Sequence, residues 1–169
     1  GFQHDHPDLI DNAWTNDVEL NGTPGVDDDN NGYVDDIYGY DFSNDDNTPY
    51  DDFEADFHGT HVAGTVGATG GNGIGVAGVN WNVKMIPAKF LGGASNSTAG
   101  AIKALDYLTD LKTRYGINLV ATNNSWGPSN GRGGPNPFLE AAIIRAANEE
   151  ILFIVAAGNE AIDNDLGSW

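Results

Sequence analysis

The chain has 169 residues, which is enough for one domain with a sizeable hydrophobic core. It carries 25 acidic and 7 basic residues, and its formal net charge of −18 argues against nucleic acid or anionic membranes as partners. The absence of cysteine excludes disulfides and thiol chemistry, and no apolar run of about 18 residues predicts a membrane span.

The acidic residues are concentrated at the start of the chain. Residues 1–56 hold 17 of the 25 acidic side chains and no lysine or arginine, since the first basic residue is Lys84. The stretch 1–57 is rich in Asp, Asn and Gly without periodicity, which is typical of loops with short extended pieces. Apolar residues nevertheless recur through it and predict a folded region whose charge is neutralised by cations. These residues are Trp14, Tyr33, Val34, Ile37, Tyr38, Tyr40 and Phe42.

From residue 58 the pattern alternates between helix and strand. Apolar spacing predicts helices over 58–68, 98–115 and 137–150 and strands over 83–91, 119–124 and 151–157. Pro87 is expected to weaken or bend the first strand. Gly116 is a C-cap candidate, and Asn136 is an N-cap candidate before Pro137. This alternation predicts an α/β fold, an open, mostly parallel twisted sheet with helices on both faces.

One short string holds the residues best suited to chemistry, His58-Gly59-Thr60-His61-Val62-Ala63-Gly64. Its small residues predict a closely packed helix with His58 in the first turn. Partial positive charge at a helix N-terminus disfavours a cationic imidazole, so His58 would rest neutral, as a general base must. For a lone histidine the alternative is a structural residue that caps a buried helix.

Three further segments follow the predicted strands, at the positions where ligands bind in open α/β sheets. They are residues 91–95, 124–127 and 156–159. Each one alone is also typical of a turn, because Gly, Ser and Asn dominate turns. Their joint placement predicts one shared cleft.

The string beginning at His58 resembles the histidine signature of the subtilisin-like serine peptidases, the subtilases. The resemblance implies that His58 is the catalytic base and that His61 has a packing role. Ala157-Gly158-Asn159 resembles the family's oxyanion segment and implies that the Asn159 amide donates to the developing oxyanion. The resemblance also implies substrate-binding residues, an edge segment at Gly92, Gly93, Ala94 and Ser95 and a pocket lining at Ser125, Trp126 and Gly127.

Residues 6–9, His-Pro-Asp-Leu, resemble a family motif that follows the catalytic Asp. That Asp would lie two positions before residue 1, and the nucleophile motif Gly-Thr-Ser-Met-Ala does not occur in the chain. The resemblance implies the central part of one peptidase catalytic domain, incomplete at both ends, with an acidic calcium-binding region over 1–57 and an α/β core over 58–169. We expect this chain to be inactive by itself.

One local departure from the family pattern precedes the histidine string. Phe57 stands where the family usually has Gly before the catalytic His, and the loop over 51–57 looks longer than in close relatives. The departure concerns substrate access on this side of the cleft.

A candidate cation site lies in Asp27-Asp28-Asp29-Asn30-Asn31-Gly32-Tyr33-Val34-Asp35. Hard oxygen ligands at alternate positions followed by Gly are typical of the start of a calcium loop. The bidentate Glu of a full EF-hand is missing, because Tyr38 stands at that position. A solvated acidic turn is the alternative. The predicted ligands are Asp27, Asp29, Asn31, the Tyr33 carbonyl and Asp35.

Two more calcium sites are implied by the family resemblance, so that one to three ions are expected. One resembles a loop of thermitase-like subtilases and would use Asp41, Asp46 and the Thr48 carbonyl. The other would use Asp8, Asn72 and the carbonyls of Gly70, Ile74 and Val76.

The sequence therefore predicts part of a secreted, calcium-stabilised serine endopeptidase that acts on polypeptide substrates, without nucleic-acid or membrane partners. The alternative is a calcium-binding interaction module with a catalytically dead peptidase-like fold. Nucleotide binding is a third hypothesis for an α/β fold. It fails because the Gly-rich stretch 70–78 follows a helix and carries no lysine, unlike a phosphate-binding loop.

Overall fold

The computed structural model describes residues 1–92, 97–127, 134–159, 161 and 163. Within these residues the chain forms one 3-10 helix, four α-helices and four short strands. The 3-10 helix is Ile10–Asn12; the α-helices are α1 Asp17–Leu20, α2 Phe53–Gly67, α3 Thr98–Tyr115 and α4 Pro137–Asn148; the strands are β1 Tyr40–Asp41, β2 Ala88–Lys89, β3 Ala121–Asn124 and β4 Leu152–Val155. The chain divides into two compact units, Gly1–Ala104 and Leu105–Trp169.

Both strand pairs in the described residues are parallel. β1 pairs with β2, with Asp41 opposite Lys89, and β3 pairs with β4 from Ala121 opposite Leu152 to Asn124 opposite Val155. A helix lies in each connection, α2 between β1 and β2 and α4 between β3 and β4. This arrangement confirms the predicted α/β class as small, open parallel sheets.

The hydrophobic core of the first unit lies between α2 and the N-terminal segment. It consists of Phe2, Leu9, Ala13, Ala63 and Ala68, with Met85 packed against it. Small residues on α2 allow this close approach: a Cβ added at Gly67 would lie 2.7 Å from a methyl carbon of Val83 and 2.9 Å from the Met85 sulfur. A larger residue at Gly67 would therefore force these neighbours apart.

The start of α2 differs from the prediction. The helix begins at Phe53, five residues before His58, because the Asp52 side chain caps it by accepting a hydrogen bond from the Ala55 N–H at 2.8 Å. Residues 53–57 are therefore helical, and the prediction of a loop over 51–57 is wrong for that part. His58 consequently lies beyond the first turn, which corrects its predicted position.

The strand predicted over 83–91 is interrupted. Met85 forms an isolated parallel bridge with Ala13, and β2 contains Ala88 and Lys89 alone. Pro87 lies between the two pieces and has no N–H to donate to a neighbouring strand, so the expected weakening at this proline is confirmed.

The two long helices after residue 97 match their predicted positions. α3 spans the predicted 98–115, and Gly116 follows it at φ +66 with its N–H bonded to the Lys112 carbonyl at 3.0 Å, as a C-cap does. α4 begins at Pro137, and the Asn136 side chain accepts from the N–H groups of Phe138 and Leu139, which confirms the predicted cap. Its end at Asn148 lies two residues before the predicted one.

The strands of the second unit are shorter and more exposed than predicted. β3 and β4 have four residues each, and Leu152 and Val155 are 64% and 63% exposed. Strands of a parallel sheet are buried only where helices cover both faces, and the described part of this unit does not provide such cover. The prediction of a buried strand over 119–124 is therefore wrong there except at Thr122, which is buried.

None of the helices in the described part of the chain combines the length and the apolar character needed to cross a lipid bilayer.

Removal of the α2 cap should destabilise the fold measurably. We expect Asp52→Ala to lower the free energy of unfolding by about 1 kcal/mol, because the Ala55 N–H loses its acceptor. Asp52→Ser is the matched control, since a hydroxyl still accepts this bond. Urea denaturation of the protein in its full natural length measures both variants, and equal losses for Ala and Ser would contradict the capping role.

Candidate functional site

His58 is presented on the surface of α2. Its side chain is exposed, and no hydrogen-bond partner of its imidazole occurs among the described residues. Because the helix dipole acts mainly on the first turn, the later position of His58 weakens the predicted electrostatic reason for a neutral imidazole. The exposed imidazole remains available to an incoming group.

The residues after His58 hold α2 against the N-terminal segment. A Cβ added at Gly59 would lie 1.7 Å from the carbonyl oxygen of Gly1, so only glycine permits this contact. The Thr60 hydroxyl accepts a hydrogen bond from the Gln3 N–H at 3.0 Å. Gly59 and Thr60 therefore hold α2 against the N-terminal segment, and this contact also sets the position of His58.

His61 does not have the interior position that a packing role would require. Its side chain is exposed and lines a cavity of about 610 Å³, together with Phe53, Phe57 and Val76. Of these residues, Phe53 and Phe57 are themselves 74% and 54% exposed. The packing role implied for His61 is therefore not seen within the first unit.

A buried lysine, which the sequence analysis did not single out, lies beside the first turns of α2. The Lys89 ammonium contacts carboxylate oxygens of Asp41 at 3.2 Å, Asp51 at 2.5 Å and Asp56 at 3.0 Å. Burial alone would lower the pKa of Lys89, but the hydrogen bonds that its ammonium donates to Asp51 and Asp56 and the charge of Asp41 raise the pKa above its usual value. The lysine is therefore charged throughout the physiological pH range.

Asp56 is the partner of Lys89 on α2. Burial would raise its pKa, but the Asp51 N–H and the Lys89 ammonium lower the pKa below the usual range. The carboxylate is therefore ionised and paired. No local sequence signal could reveal this pair, because 33 residues separate the two side chains.

Gly92 is the described residue of the predicted substrate-edge segment. It has φ +93, a conformation that favours glycine, and a Cβ there would lie 3.3 Å from the Ala55 carbonyl oxygen on α2. Gly92 therefore starts this segment close to the N-terminal part of α2. The other predicted edge residues, Gly93, Ala94 and Ser95, lie outside the described residues.

The predicted pocket residues of the second unit follow β3. The Ser125 hydroxyl accepts from the Asn123 amide at 2.9 Å, and the Trp126 indole N–H donates to the Asn124 amide oxygen at 3.1 Å. Gly127 is exposed. The Asn124 amide also bonds the Ile154 carbonyl on β4 at 3.2 Å, so side chains of β3 brace this segment.

Asn159 lies in the exposed segment that follows β4. Because β3 and β4 are parallel neighbours, the segments carrying Ser125 and Asn159 leave the same end of this sheet, as predicted. His58 belongs to the first unit and Asn159 to the second. Their predicted position in one cleft stays a prediction.

The first acidic loop brings three carboxylates together. Oxygen atoms of Glu19, Asp27 and Asp29 lie within 4.8 Å of one another. Glu19, which the sequence analysis missed, comes from α1 and is 3% exposed. Its two oxygens accept from the Asp29 and Asp35 N–H groups at 2.9 and 3.0 Å. The sequence does contain a signal for this role. The loop over 27–35 lacks the glutamate of a full calcium loop, and Glu19 is a glutamate shortly before it.

The remaining predicted ligands of this loop have other partners. The Asn31 amide oxygen accepts from the Tyr33 N–H at 2.7 Å, which turns the loop back on itself. The Asp35 carboxylate accepts from the Gly25 N–H at 2.8 Å and is not part of the three-carboxylate group. Asp36 is fully buried and accepts from the Asn16 and Asn31 amides, each at 2.9 Å.

The second predicted loop does not form a comparable group among the described residues. Asp41 is fully buried and shares its carboxylate with Lys89 and with the Ser43 and Asn44 N–H groups. The Asp46 carboxylate accepts from the N–H and hydroxyl of Thr48. Both carboxylates therefore have partners within the protein.

The residues of the third predicted calcium site, Asp8, Asn72 and Val76, contact one another directly. The Asp8 carboxylate accepts from the Asn72 amide and from the Val76 N–H, both at 2.8 Å, across more than 60 residues of sequence. These two hydrogen bonds lower the pKa of Asp8. A Cβ at Gly75 would lie 2.2 Å from the carboxylate, so the loop wraps closely around Asp8.

The sequence profile of the subtilase family, peptidase S8, matches residues 1–168. The chain belongs to the subtilase family. It is 37% identical over 160 residues to subtilisin-like protease 1 of Plasmodium berghei, which covers 94% of this chain and 24% of that protein. It is 49% identical over 108 residues to subtilisin-like protease 1 of Plasmodium falciparum, which covers 63% of this chain and 15% of that protein.

A relative from a fungus is also similar. Subtilisin-like protease 3 of Trichophyton tonsurans is 35% identical over 115 residues, or 67% of this chain and 26% of that protein. This subtilase chain therefore spans about a quarter or less of the length of the curated relatives it matches.

The hydrogen bonds to Asp8 should make the stability of this subtilase chain depend on pH. The lowered pKa means that ionised Asp8 stabilises the fold above its unfolded value of 3.8, and that this contribution disappears as the pH falls through the lowered pKa. We expect Asp8→Asn to lower the melting temperature at about pH 6 and to have a smaller effect below about pH 4.

Melting temperatures measured from about pH 3 to 7 in EDTA test this expectation in the full-length protein. Asp11→Asn is the control, because Asp11 is exposed and lies in the same N-terminal segment. A loss at Asp8 that does not change with pH would contradict the role of its charge.

Proposed function

We propose that this chain is part of a serine endopeptidase that hydrolyses peptide bonds through an acyl-enzyme. The observation that supports it is the subtilase match over residues 1–168, with His58 exposed on a helix that Gly59 and Thr60 hold in place. The relatives are named subtilisin-like proteases, which favours polypeptide substrates. Secretion is part of the same proposal and rests on the family resemblance.

His58 is the general base in this proposal. Its imidazole takes the proton from the nucleophilic serine hydroxyl during attack and then gives that proton to the leaving amine. The nucleophile and the orienting Asp have no motif match in the 169 residues, so we expect the chain alone to be inactive.

Asn159 is the proposed oxyanion donor. An amide suits this position because it is a neutral donor that cannot lose its proton to a nearby imidazole. In subtilisin, which belongs to the same family, removal of such an asparagine costs about 10² to 10³ in turnover. Ser125, Trp126 and Gly127 would line the pocket for the substrate residue before the scissile bond, and residues 92–95 would pair with an extended substrate.

The second candidate function is a calcium-binding interaction module with an inactive peptidase-like fold. The grouping of Glu19, Asp27 and Asp29 favours it, because cation binding does not require catalysis. The two functions differ in their reaction with a serine-directed fluorophosphonate, which labels an activated serine alone.

Replacement of His58 should abolish catalysis. We expect His58→Ala in the full-length protein to lower kcat by about 10⁶, the magnitude known for the catalytic histidine of subtilisin. His61→Ala is the matched control from the same string. Peptide hydrolysis and fluorophosphonate labelling are the measurements, and the 169-residue chain alone should show neither.

Two outcomes would contradict the proposal. Labelling of the 169-residue chain would mean that it contains an activated serine of its own. A full-length protein that neither hydrolyses peptides nor reacts with the fluorophosphonate, yet is stabilised by calcium, would favour the inactive calcium-binding module.

We also propose that calcium binds at Glu19, Asp27 and Asp29. Oxygens that bind one calcium ion at about 2.3–2.6 Å lie no more than about 5 Å apart, and these carboxylates meet that limit. A cation would also relieve the repulsion between three close negative charges, one of them on a buried side chain. Asn31 and the Tyr33 carbonyl are the further ligands proposed from this loop.

Asp8 with Asn72 is a second calcium candidate in this proposal, because the loop that carries Asn72 and Gly75 wraps closely around the buried Asp8 carboxylate. The loop with Asp41, Asp46 and Thr48 is a third. A cation there would compete with the Lys89 ammonium for Asp41, so we expect the weakest binding at this loop.

Calcium should raise the melting temperature of the full-length protein, and EDTA should lower it. A ligand that binds the folded state alone stabilises it by about 2.7 kcal/mol at a hundredfold excess over its Kd. Magnesium should be less effective, because it demands near-octahedral geometry. We expect Glu19→Gln to remove most of this calcium-dependent rise.

Glu54→Gln is the matched control, because Glu54 is exposed on α2. Differential scanning fluorimetry and native mass spectrometry measure stability and bound ions. A melting temperature indifferent to EDTA, with no bound ion detected, would return the loop to a solvated acidic turn.

A further inference from the structure

We propose that Lys89 is a positioning residue of this enzyme. Its ammonium group fixes the first turns of α2, which lead to His58, against the start of the substrate-edge segment at Gly92. The inference rests on the proposed peptidase function and deepens it, because it assigns a role to a residue that does not touch the reacting atoms.

The ammonium group of Lys89 is completely enclosed. The side chains of Lys89 and Asp41 are 0% exposed and that of Asp56 is 2% exposed, whereas Asp51 is 31% exposed. Removing an ammonium and carboxylates from water is costly, and the geometry must be good for the ion pairs to compensate. Three carboxylates at 2.5 to 3.2 Å from one nitrogen meet this requirement.

The cluster carries more negative than positive charge. The Gly1 amino group contacts Asp56 at 3.4 Å, whereas the Lys89 ammonium contacts all three carboxylates. Lys89 is therefore the shared counter-charge that allows them to approach one another. Loss of Lys89 would leave buried carboxylates without a cation, which drives such groups apart or out to solvent. Every element that contributes a carboxylate would then lose its anchor.

Two of these carboxylates control the N-terminal part of α2. Asp51 precedes the capping residue Asp52, and its N–H donates to the Asp56 carboxylate at 2.9 Å. Asp56 lies within α2, two residues before His58. The Lys89 ammonium therefore holds the cap and the first helical turns as one group.

The backbone of Lys89 lies next to the predicted substrate-edge segment. Lys89 lies in β2, opposite Asp41 of β1, and Gly92 follows three residues later. A Cβ at Gly92 would be 3.3 Å from the Ala55 carbonyl oxygen and 3.8 Å from Cε of Lys89. The start of the edge segment thus contacts both the lysine and the helix that carries His58.

This connection has a consequence for catalysis that depends on substrate length. A misplacement of about 1 Å between substrate and catalytic groups can cost about 10²-fold in rate. A long peptide that pairs with the edge segment is placed by that segment, whereas a short substrate is placed mainly by the pocket before the scissile bond. Loss of Lys89 should therefore impair long substrates more than short ones.

The test compares two substrates in the full-length protein with calcium present. They share the residue before the cut, and one is a single-residue ester whereas the other is a peptide of five or six residues, about 20 Å when extended. We expect Lys89→Met to lower kcat/KM for the long peptide by about tenfold or more relative to the ester. Lys84→Met is the matched control, because Lys84 bonds the carbonyls of Asp11 and Ala13 and contacts no carboxylate among the residues that the structure describes.

A second variant guards against loss of folding. Asp51→Asn weakens the contact between Lys89 and the cap but lowers the excess negative charge, so the melting temperature should hold. We expect it to change the ratio of long to short kcat/KM by about threefold, less than Lys89→Met because two carboxylates remain. Lys89→Arg should restore part of the ratio, since it returns the positive charge.

The outcomes separate this inference from the proposed function. A wild-type protein without activity on either substrate would overturn the peptidase proposal itself. An active wild type with an unchanged ratio in folded Lys89→Met would overturn the positioning role. If Lys89→Met does not fold, Asp51→Asn decides in the same way, because an unchanged ratio in that variant overturns the role and a changed ratio supports it.

Discussion

The pairing of Lys89 with three carboxylates is the interaction on which the first unit most depends. The first 56 residues contain 17 acidic side chains and no lysine or arginine, so this region has no side-chain cation of its own except through histidine. Lys89 reaches into the region from β2 and lets Asp41, Asp51 and Asp56 pack together. Because a buried charge without a partner is costly, the position of β2 relative to α2 follows from this pairing.

Neutral hydrogen-bond donors stabilise further carboxylates of this region. Asp8 accepts from an amide and a backbone N–H, and Glu19 accepts from two backbone N–H groups. Such bonds favour the ionised carboxylate, as the lowered pKa of Asp8 illustrates. Backbone N–H groups therefore help to hold the acidic loops in place. A cation would stabilise further an arrangement in which carboxylate oxygens already lie close together.

The histidine string has a structural logic beside its proposed chemistry. Gly59 allows the Gly1 carbonyl to touch α2, and Thr60 bonds the Gln3 N–H. These contacts set the helix beside the N-terminal segment, while Asp52 sets where the helix begins. Asp52 thus determines the start of the helix that presents His58, and Gly59 and Thr60 determine its position beside the N-terminal segment.

Local patterns in the sequence determined the family, the α/β class, the extent of α3 and the caps at Gly116 and Asn136, because periodicity and capping act within a few residues. The start of α2 was missed because an acidic run offers several possible caps, and only the tertiary structure selects Asp52. The roles of Glu19 and Lys89 were also decided by tertiary structure. Their hydrogen-bond and ion-pair partners lie 10 to 48 residues away in sequence, and burial of a charge is a property of the packed chain rather than of any window along it.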